Sequence, residues 1–232
     1  MAEKGAEDLG GGSLGVSSLG VDGARLYAGL LSRPAQAQML TEIYEVIAAA
    51  PFFRPEMPKT GKPLTVEMTN AGPLGWVSDR TNGYRYQKTH PASGTPWPPL
   101  PQSLMGLWQF VSGYAAPPEC CLVNYYAPGA KMGLHQDKDE MAKDAPVVSV
   151  SLGDTAMFKV KGPARSGSTS WSVKLNSGDV VVLAGKARMY YHGVDRIYPG
   201  TSTLLKPEIF PEGGRINLTM RRVTCPSGGE SA

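Results

Sequence analysis

Two periodicities divide this chain. Between Ser32 and Pro51 the apolar residues Leu40, Ile43, Tyr44 and Ile47 recur at helical spacing; Ser32 and Pro34 are suited to start a helix and Pro51 to end it. A second stripe, Leu104, Leu107, Trp108 and Val111, predicts another helix over 101–114. It follows a stretch from Pro91 to Pro101 whose prolines, fixed in φ and lacking an N–H to donate, exclude regular structure. From Cys120 onward the pattern shortens to β-type runs separated by Gly, Pro, Asn and Asp: LVNYY, VVSVSL, MFKV, WSVKL, DVVVL, YYHGV and RINLTMRRV. These predict a mainly β fold with flanking helices, an antiparallel sandwich or jelly roll.

One of these runs is amphipathic in an unusual way. Period two sets Arg215, Asn217, Thr219 and Arg221 on one face of RINLTMRR and Ile216, Leu218 and Met220 on the other. The polar face either meets water or lines a cavity. Asn124 and Tyr126 also share a face within the otherwise apolar LVNYY, so an amide and a phenol could join two guanidiniums inside a barrel mouth. Arginines buried there would require an anion.

Length and charge narrow the classes without choosing among them. The chain has 232 residues and a formal net charge of +3, which suits a domain with a real core and neither requires nor excludes nucleic acid. Residues 1–22 are rich in Gly and Ser and are expected to form a flexible tail. Residues 23–225 are read as a single unit, with helices and intervening segments over about 23–118 and the β-rich core over 119–225, and 226–232 as a second tail. No apolar run is long enough to span a bilayer, and the N-terminal stretch lacks the basic-then-apolar order of a secretory signal, so a monomer in the cytoplasm is expected. Cys120, Cys121 and Cys225 have no CxxC or zinc-ligand spacing and are read as reduced and structural.

Candidate chemistry concentrates around KMGLHQDKDE, residues 131–140. The chain has three histidines, and two of them, His135 and His192, fall in the β-rich half. In extended backbone His135 and Asp137 point the same way. The charges around them form either a solvated loop or part of a metal site. With His192 from YYHGV the set becomes two imidazoles and one carboxylate, which leaves coordination positions open on non-haem Fe(II). A keto dicarboxylate, gripped at each end by an arginine and chelated to the metal, would satisfy Arg215 and Arg221 together; 2-oxoglutarate is such a molecule. His90, beside Pro91, is read as a loop residue without a metal role.

Taken together, NYYAPGAKMGLHQDKDE, VSVSLG, GDVVVLAG, YYHGV and RINLTMR, with MTNAGPLGWVSDRTNGYRY and PWPPLPQSL upstream, resemble the AlkB family of Fe(II)- and 2-oxoglutarate-dependent nucleic-acid dealkylases, in its bacterial form. The resemblance implies a double-stranded β-helix, a jelly-roll variant, preceded by a nucleotide-recognition extension. It implies that His135, Asp137 and His192 hold iron, that Arg215, Tyr126 and Asn217 hold the distal carboxylate of 2-oxoglutarate, and that Arg221 and Asn124 hold its metal-proximal end. It assigns the substrate side to Trp76, Tyr84, Lys138, Asp139 and Arg165, with a flipped base between Trp76 and His135 and Asp139 at its edge, while Glu140 is expected to be solvated. The implied reaction consumes O2 and 2-oxoglutarate and removes N-alkyl groups from bases of the 1-methyladenine or 3-methylcytosine type as aldehydes. The implied partner is alkylated DNA, single- or double-stranded, with RNA as an alternative. Two departures from the family pattern, Tyr125 where an arginine is usual and the lysines Lys159 and Lys161 flanking a lid-like segment near Arg165, are expected to bear on lesion choice rather than on the iron site. Two other readings stay open from sequence: an oxygenase of the same type acting on a protein, and a binder of alkylated nucleic acid without turnover.

Overall fold

A computed structural model describes residues 15–164 and 167–226. Helix α1 runs Arg33–Ala49, with Ser32 as its cap: the Ser32 hydroxyl accepts from the Ala35 N–H at 3.4 Å, and Pro34 lies in the first turn, where an N–H has no partner to lose. Its buried stripe is Met39, Leu40, Ile43 and Val46. Helix α2, Gln102–Val111, buries the four residues that its spacing singles out, Leu104, Leu107, Trp108 and Val111; each side chain of this size removed from water contributes ~1.5–3 kcal/mol.

The strands are β1 (Val16–Ser18), β2 (Ala24–Tyr27), β3 (Glu67–Ala71), β4 (Gly75–Asp79), β5 (Gly83–Gln87), β6 (Cys120–Tyr126), β7 (Met132–His135), β8 (Val147–Gly153), β9 (Thr155–Lys161), β10 (Ser170–Leu175), β11 (Val180–Leu183), β12 (Tyr191–Tyr198) and β13 (Arg215–Arg221). Seven form a major sheet in the order β1-β2-β11-β8-β13-β6-β3, four a minor sheet in the order β10-β9-β12-β7, and β4 and β5 a separate hairpin. Every pairing is antiparallel. The architecture is the jelly roll that the strand texture suggests, in the double-stranded β-helix form that the resemblance implies.

Both faces of the major sheet are covered, which explains why β13 is buried along its whole length. Ile216, Leu218 and Met220 pack with Val123, Val148, Val150 and Leu152 against the stripes of α1 and α2. The opposite face turns toward the minor sheet, across a second cluster containing Val147, Val181, Leu183, Phe158, Val160 and Val194. The polar face of β13 therefore points into the jelly roll.

Two expectations need correction. Order begins ahead of residue 23: Val16–Ser18 pair with β2 and Val21 is buried, so the Gly- and Ser-rich composition of 1–22 does not keep its last residues from joining the sheet. The rest of that stretch, 1–14, and residues 227–232 lie outside the described residues. The β4–β5 hairpin and β3 are strands that the run of β-type residues after Cys120 does not announce. Among the described residues, no helix is long and apolar enough to cross a membrane.

Candidate active site

The site is assembled by strand register. β7 and β12 are neighbours in the minor sheet, and His135 and His192 are directly opposed across them, with ring centroids 4.5 Å apart. Gly193 makes this approach possible: a Cβ there would lie 2.6 Å from the Met132 carbonyl oxygen and 2.9 Å from that of Gly133, closer than any side chain tolerates. Asp137, just beyond the end of β7, completes the group. One ligand atom from each of His135, Asp137 and His192 lies within 4.8 Å of the others.

Each imidazole is oriented the same way. Nδ1 of His135 lies 2.9 Å from the Gly133 carbonyl, and Nδ1 of His192 lies 3.2 Å from that of Tyr190. A carbonyl can only accept, so Nδ1 carries the proton in both rings and each Nε2 keeps its lone pair. Those Nε2 atoms face Asp137, at 3.8 Å from Oδ1 for His135 and 3.5 Å from Oδ2 for His192. Burial, then the neighbouring His192 ring, pushes the His135 pKa down to about 4, so the ring is neutral. Burial alone would push the Asp137 carboxyl up, but Arg221 and then His192 hold it well below the usual carboxylate range. Two imidazoles that turn Nε2 toward one point and an ionised carboxylate whose buried Oδ2 has no hydrogen-bond partner form a donor set that fits Fe(II).

β13 supplies the adjoining wall. Its register sets Arg215 beside Tyr126 on β6, Asn217 between Asn124 on β6 and Ser151 on β8, and Thr219 beside Ser149. All of these side chains except Ser151 line a cavity of about 460 Å³ together with the two histidines, Asp137 and Trp76. Arg215 is 1% exposed. Its Nη2 donates to the Ser151 hydroxyl at 2.8 Å, its guanidinium stands 5.6 Å from the Tyr126 ring centroid, and Nε and Nη1 have no partner among the described residues. Burial pulls its pKa down to about 10, which still leaves it charged near neutrality, and burial pushes the Tyr126 hydroxyl up to about 12. A buried guanidinium with two unpartnered nitrogens fits one carboxylate of 2-oxoglutarate.

The other expected contacts are less open. Asn217 lines the same wall, but its amide donates to Ser149 Oγ at 2.7 Å and the Val150 carbonyl at 2.9 Å, and its carbonyl accepts from Thr219. Arg221 donates to Asp137 Oδ1 at 2.6 Å and to Glu140 Oε1 at 3.1 Å, which leaves Nε as its unpartnered nitrogen. Asn124 donates to the Asn217 carbonyl at 3.5 Å, and its Oδ1 is buried without a partner.

On the rim, the β4–β5 hairpin brings Trp76 over the cavity. Its indole stacks on the 53% exposed Tyr84, centroids 5.5 Å apart, and its Nε1 donates to Asp139 Oδ2 at 2.9 Å. Lys138 is exposed at the cavity edge. Arg165 lies outside the described residues.

Three readings are revised. Glu140 is not solvated; its side chain is fully buried between Arg221, Arg188 and Tyr86. Tyr125 points away from the cavity, packing on Phe52 and Phe210 and donating to the Gly213 carbonyl at 3.0 Å, so it belongs to the helix-side core. Lys159 is already paired, at 3.0 Å, with Asp195. His90 does lie in a loop, outside any helix or strand, and is buried there between Phe53 and Trp97 with Nε2 2.8 Å from the Pro51 carbonyl. Sequence reasoning missed Arg188, which donates to the Asp137 carbonyl at 2.6 Å, the Ala145 carbonyl at 2.9 Å and Glu140 at 3.0 Å. It missed Asn70 too, whose amide brackets the Trp76 backbone with two 3.1 Å hydrogen bonds. Lone polar residues in turns and strands carry no signal that distinguishes these two from surface groups.

The model of the 2OG-Fe(II) oxygenase superfamily matches residues 23–221. The chain is 48% identical over 202 residues to an alpha-ketoglutarate-dependent dioxygenase AlkB homolog of Caulobacter vibrioides, covering 87% of this chain and 88% of that one. It is 42% identical over 192 residues to the alpha-ketoglutarate-dependent dioxygenase AlkB of Escherichia coli, covering 81% and 85%. A solved structure of OsALKBH1 superimposes with a TM-score of 0.69 at 30% identity, over 86% of this chain and 96% of that one. Opposed histidines beside a buried aspartate, an arginine waiting on an anion, and relatives matched over most of their length agree: the chain belongs to the AlkB family of Fe(II)- and 2-oxoglutarate-dependent oxygenases.

Proposed function

We propose that this protein removes alkyl groups from the pairing edge of N-alkylated bases, of the 1-methyladenine or 3-methylcytosine type, in DNA or RNA. The observation that carries this reading is the aromatic hairpin beside the metal set: Trp76, stacked on Tyr84 and hydrogen-bonded to Asp139, lines the same cavity as His135, Asp137 and His192. An atom on a base's pairing edge is inaccessible inside a stacked duplex, so the base must leave the stack at a cost of roughly a few kcal/mol. Trp76 and the His135 ring, which line the same cavity, would offset that by clamping the base, and the Asp139 carboxylate would accept from an exocyclic amino group while it holds the indole. Lys138 at the rim supplies a cation for the phosphate backbone.

His135, Asp137 and His192 would hold the iron, and Arg215 with Tyr126 the distal carboxylate of 2-oxoglutarate, with Arg221 and Asn124 near its other end. Iron and 2-oxoglutarate supply the oxidising chemistry, in which O2 oxidises the alkyl carbon and 2-oxoglutarate becomes succinate and carbon dioxide. The protein's contribution is position: the Nδ1–H bonds fix both imidazoles, Arg221 fixes Asp137, and the buried walls keep water from the reacting carbon. A single-domain monomer acting on single-stranded or duplex substrate in the cytoplasm accords with this reading.

The test is incubation with Fe(II), 2-oxoglutarate, O2 and an oligonucleotide carrying 1-methyladenine. Formaldehyde and unmodified adenine are expected in equal amounts. Succinate without loss of any lesion across a panel of methylated and etheno bases would leave the oxygenase chemistry standing and remove the nucleic-acid substrate.

A further inference from the structure

The recognition hairpin is joined to the metal-binding group by a buried polar chain that the proposed chemistry does not use. On β5 the Tyr86 side chain turns inward, and its hydroxyl donates to Glu140 Oε1 at 2.5 Å. Arg221 donates through one Nη1 to both that hydroxyl and the same carboxylate oxygen, each at 3.1 Å, and through Nη2 to Asp137 Oδ1 at 2.6 Å. Arg188 closes the cluster from the opposite side, donating to Glu140 Oε2 at 3.0 Å and to the Asp137 carbonyl at 2.6 Å. Two guanidiniums thus balance two carboxylates, and one phenol from the hairpin enters among them.

The hairpin has other anchors, but none reaches the metal-binding group. β4 is held through Asn70, which brackets the Trp76 backbone, and through Ser78, which exchanges two hydrogen bonds with the Glu56 backbone; Trp97 Nε1 donates to the Gln87 carbonyl at the end of β5. The apolar support on the cluster side is Cys120, Leu122 and Val223, against which Leu74, Trp76 and Tyr86 pack. β5 has Tyr86 as its link to Glu140, and its neighbour Tyr84 faces outward. In the interior a hydrogen bond to a charged acceptor is stronger than one between neutral groups, and it is directional, so it fixes the distance between hairpin and cluster.

We propose that Tyr86 is a positioning residue that seats the base-recognition hairpin on the Glu140–Arg221–Asp137 cluster, so that a base clamped by Trp76 is held in register with the metal ligand Asp137. This rests on the nucleic-acid reading above. Glu140 and Arg188 act as the base plate: Arg188 fixes Glu140 and the backbone of Asp137, and Glu140 receives the hairpin.

Y86F removes one oxygen and keeps the ring, and a melting curve checks that the fold is retained. Without any substrate, amide hydrogen exchange over 83–87 is expected to rise about tenfold, the effect of one hydrogen bond to a charged acceptor, while β6 and β13 stay unchanged. In turnover with the 1-methyladenine oligonucleotide, the oligonucleotide KM is expected to rise by about the same factor and succinate to exceed formaldehyde. The KM for 2-oxoglutarate should stay put. Because Tyr86 and Glu140 act as one contact, the hairpin exchange of Y86F/E140M, in which residue 140 has no acceptor, should match that of E140M alone; where E140M does not fold, the Y86F exchange decides by itself. Unchanged exchange over 83–87 in Y86F, or effects of the two substitutions that multiply, overturns the proposal. If the wild-type protein releases no formaldehyde from any oligonucleotide, the substrate reading fails, and the exchange measurement still decides the role of Tyr86.

Discussion

Arg215 and Arg221 leave the same face of β13 at its two ends and are 1% and 6% exposed, yet their surroundings are opposite. Arg221 lies among Asp137, Glu140 and Tyr86, and those charges hold its pKa well above the ordinary arginine value despite burial. Arg215 has one serine hydroxyl, an aromatic face and two unpartnered nitrogens, and burial pulls its pKa down. A guanidinium matched by carboxylates within the fold belongs to the folded state's own electrostatics. One buried without them is held there by the rest of the core and becomes matched when an anion arrives. The two ends of one strand thus separate an arginine matched by carboxylates within the fold from one whose nitrogens are left open to an anion, though their sequence context, R-I-N-L-T-M-R, is nearly symmetric.

The comparison is broken most sharply at Arg221. R221M strands Asp137 without its closest cation and leaves Glu140 with Arg188, so two buried carboxylates lose compensation. Removing one partner of a buried pair destabilises by ~3–5 kcal/mol. Urea unfolding in the presence of a chelator, which removes any metal contribution, should show the midpoint falling accordingly. A wild-type midpoint for R221M would mean that the cluster is not what holds this end of β13.

The same substitution at Arg215 should do the reverse. R215M deletes an uncompensated buried charge, so the protein without co-substrate should unfold at the wild-type urea concentration or above it. Its affinity for 2-oxoglutarate, measured calorimetrically without O2 and with Mn(II) in place of iron, should fall ~10–100-fold, as expected when charge-assisted hydrogen bonds of ~1.5–3 kcal/mol are lost. Co-substrate should accordingly stop protecting R215M against denaturant while it still protects the wild type. Marked destabilisation of R215M without ligand would place both arginines in one structural class.

How much of this was legible in the sequence follows the same division. The helices, the strands after Cys120 and the alternation of β13 were readable because each depends on local periodicity, and the histidine and aspartate set because so few histidines compete for it. What periodicity could not supply is which charges find one another. Glu140 looks like one more member of a solvated run, DKDE being typical of surface loops, but Arg188 from the turn before β12 and Arg221 from β13 close over it. Tyr125 sits between two cavity residues in LVNYY, yet the period of two sends it to the opposite face. The hairpin escaped because β4 and β5 are short and lack a continuous apolar face: what pins them is a set of polar contacts, Asn70 and Glu56 to β4 and Trp97 and Glu140 to β5.

The smallest effect should come from the one protein group that Arg215 does hold. Ser151 on β8 lies opposite Asn217 in register and accepts from Arg215 Nη2 at 2.8 Å, which restrains the guanidinium while Nε and Nη1 stay unpartnered. S151A removes that restraint without touching the charge, so 2-oxoglutarate must order the guanidinium as it binds. The loss should be ~0.5–1.5 kcal/mol, about a two- to tenfold rise in Kd by the same calorimetry. Ser149, two residues earlier, accepts from the neutral Asn217 amide at 2.7 Å, and Asn217 keeps its second bond to Val150. S149A should therefore change the Kd less than S151A does. If the two serines shifted it equally, affinity would be set by the general polarity of the wall, and the unpartnered guanidinium would lose its special place in the comparison.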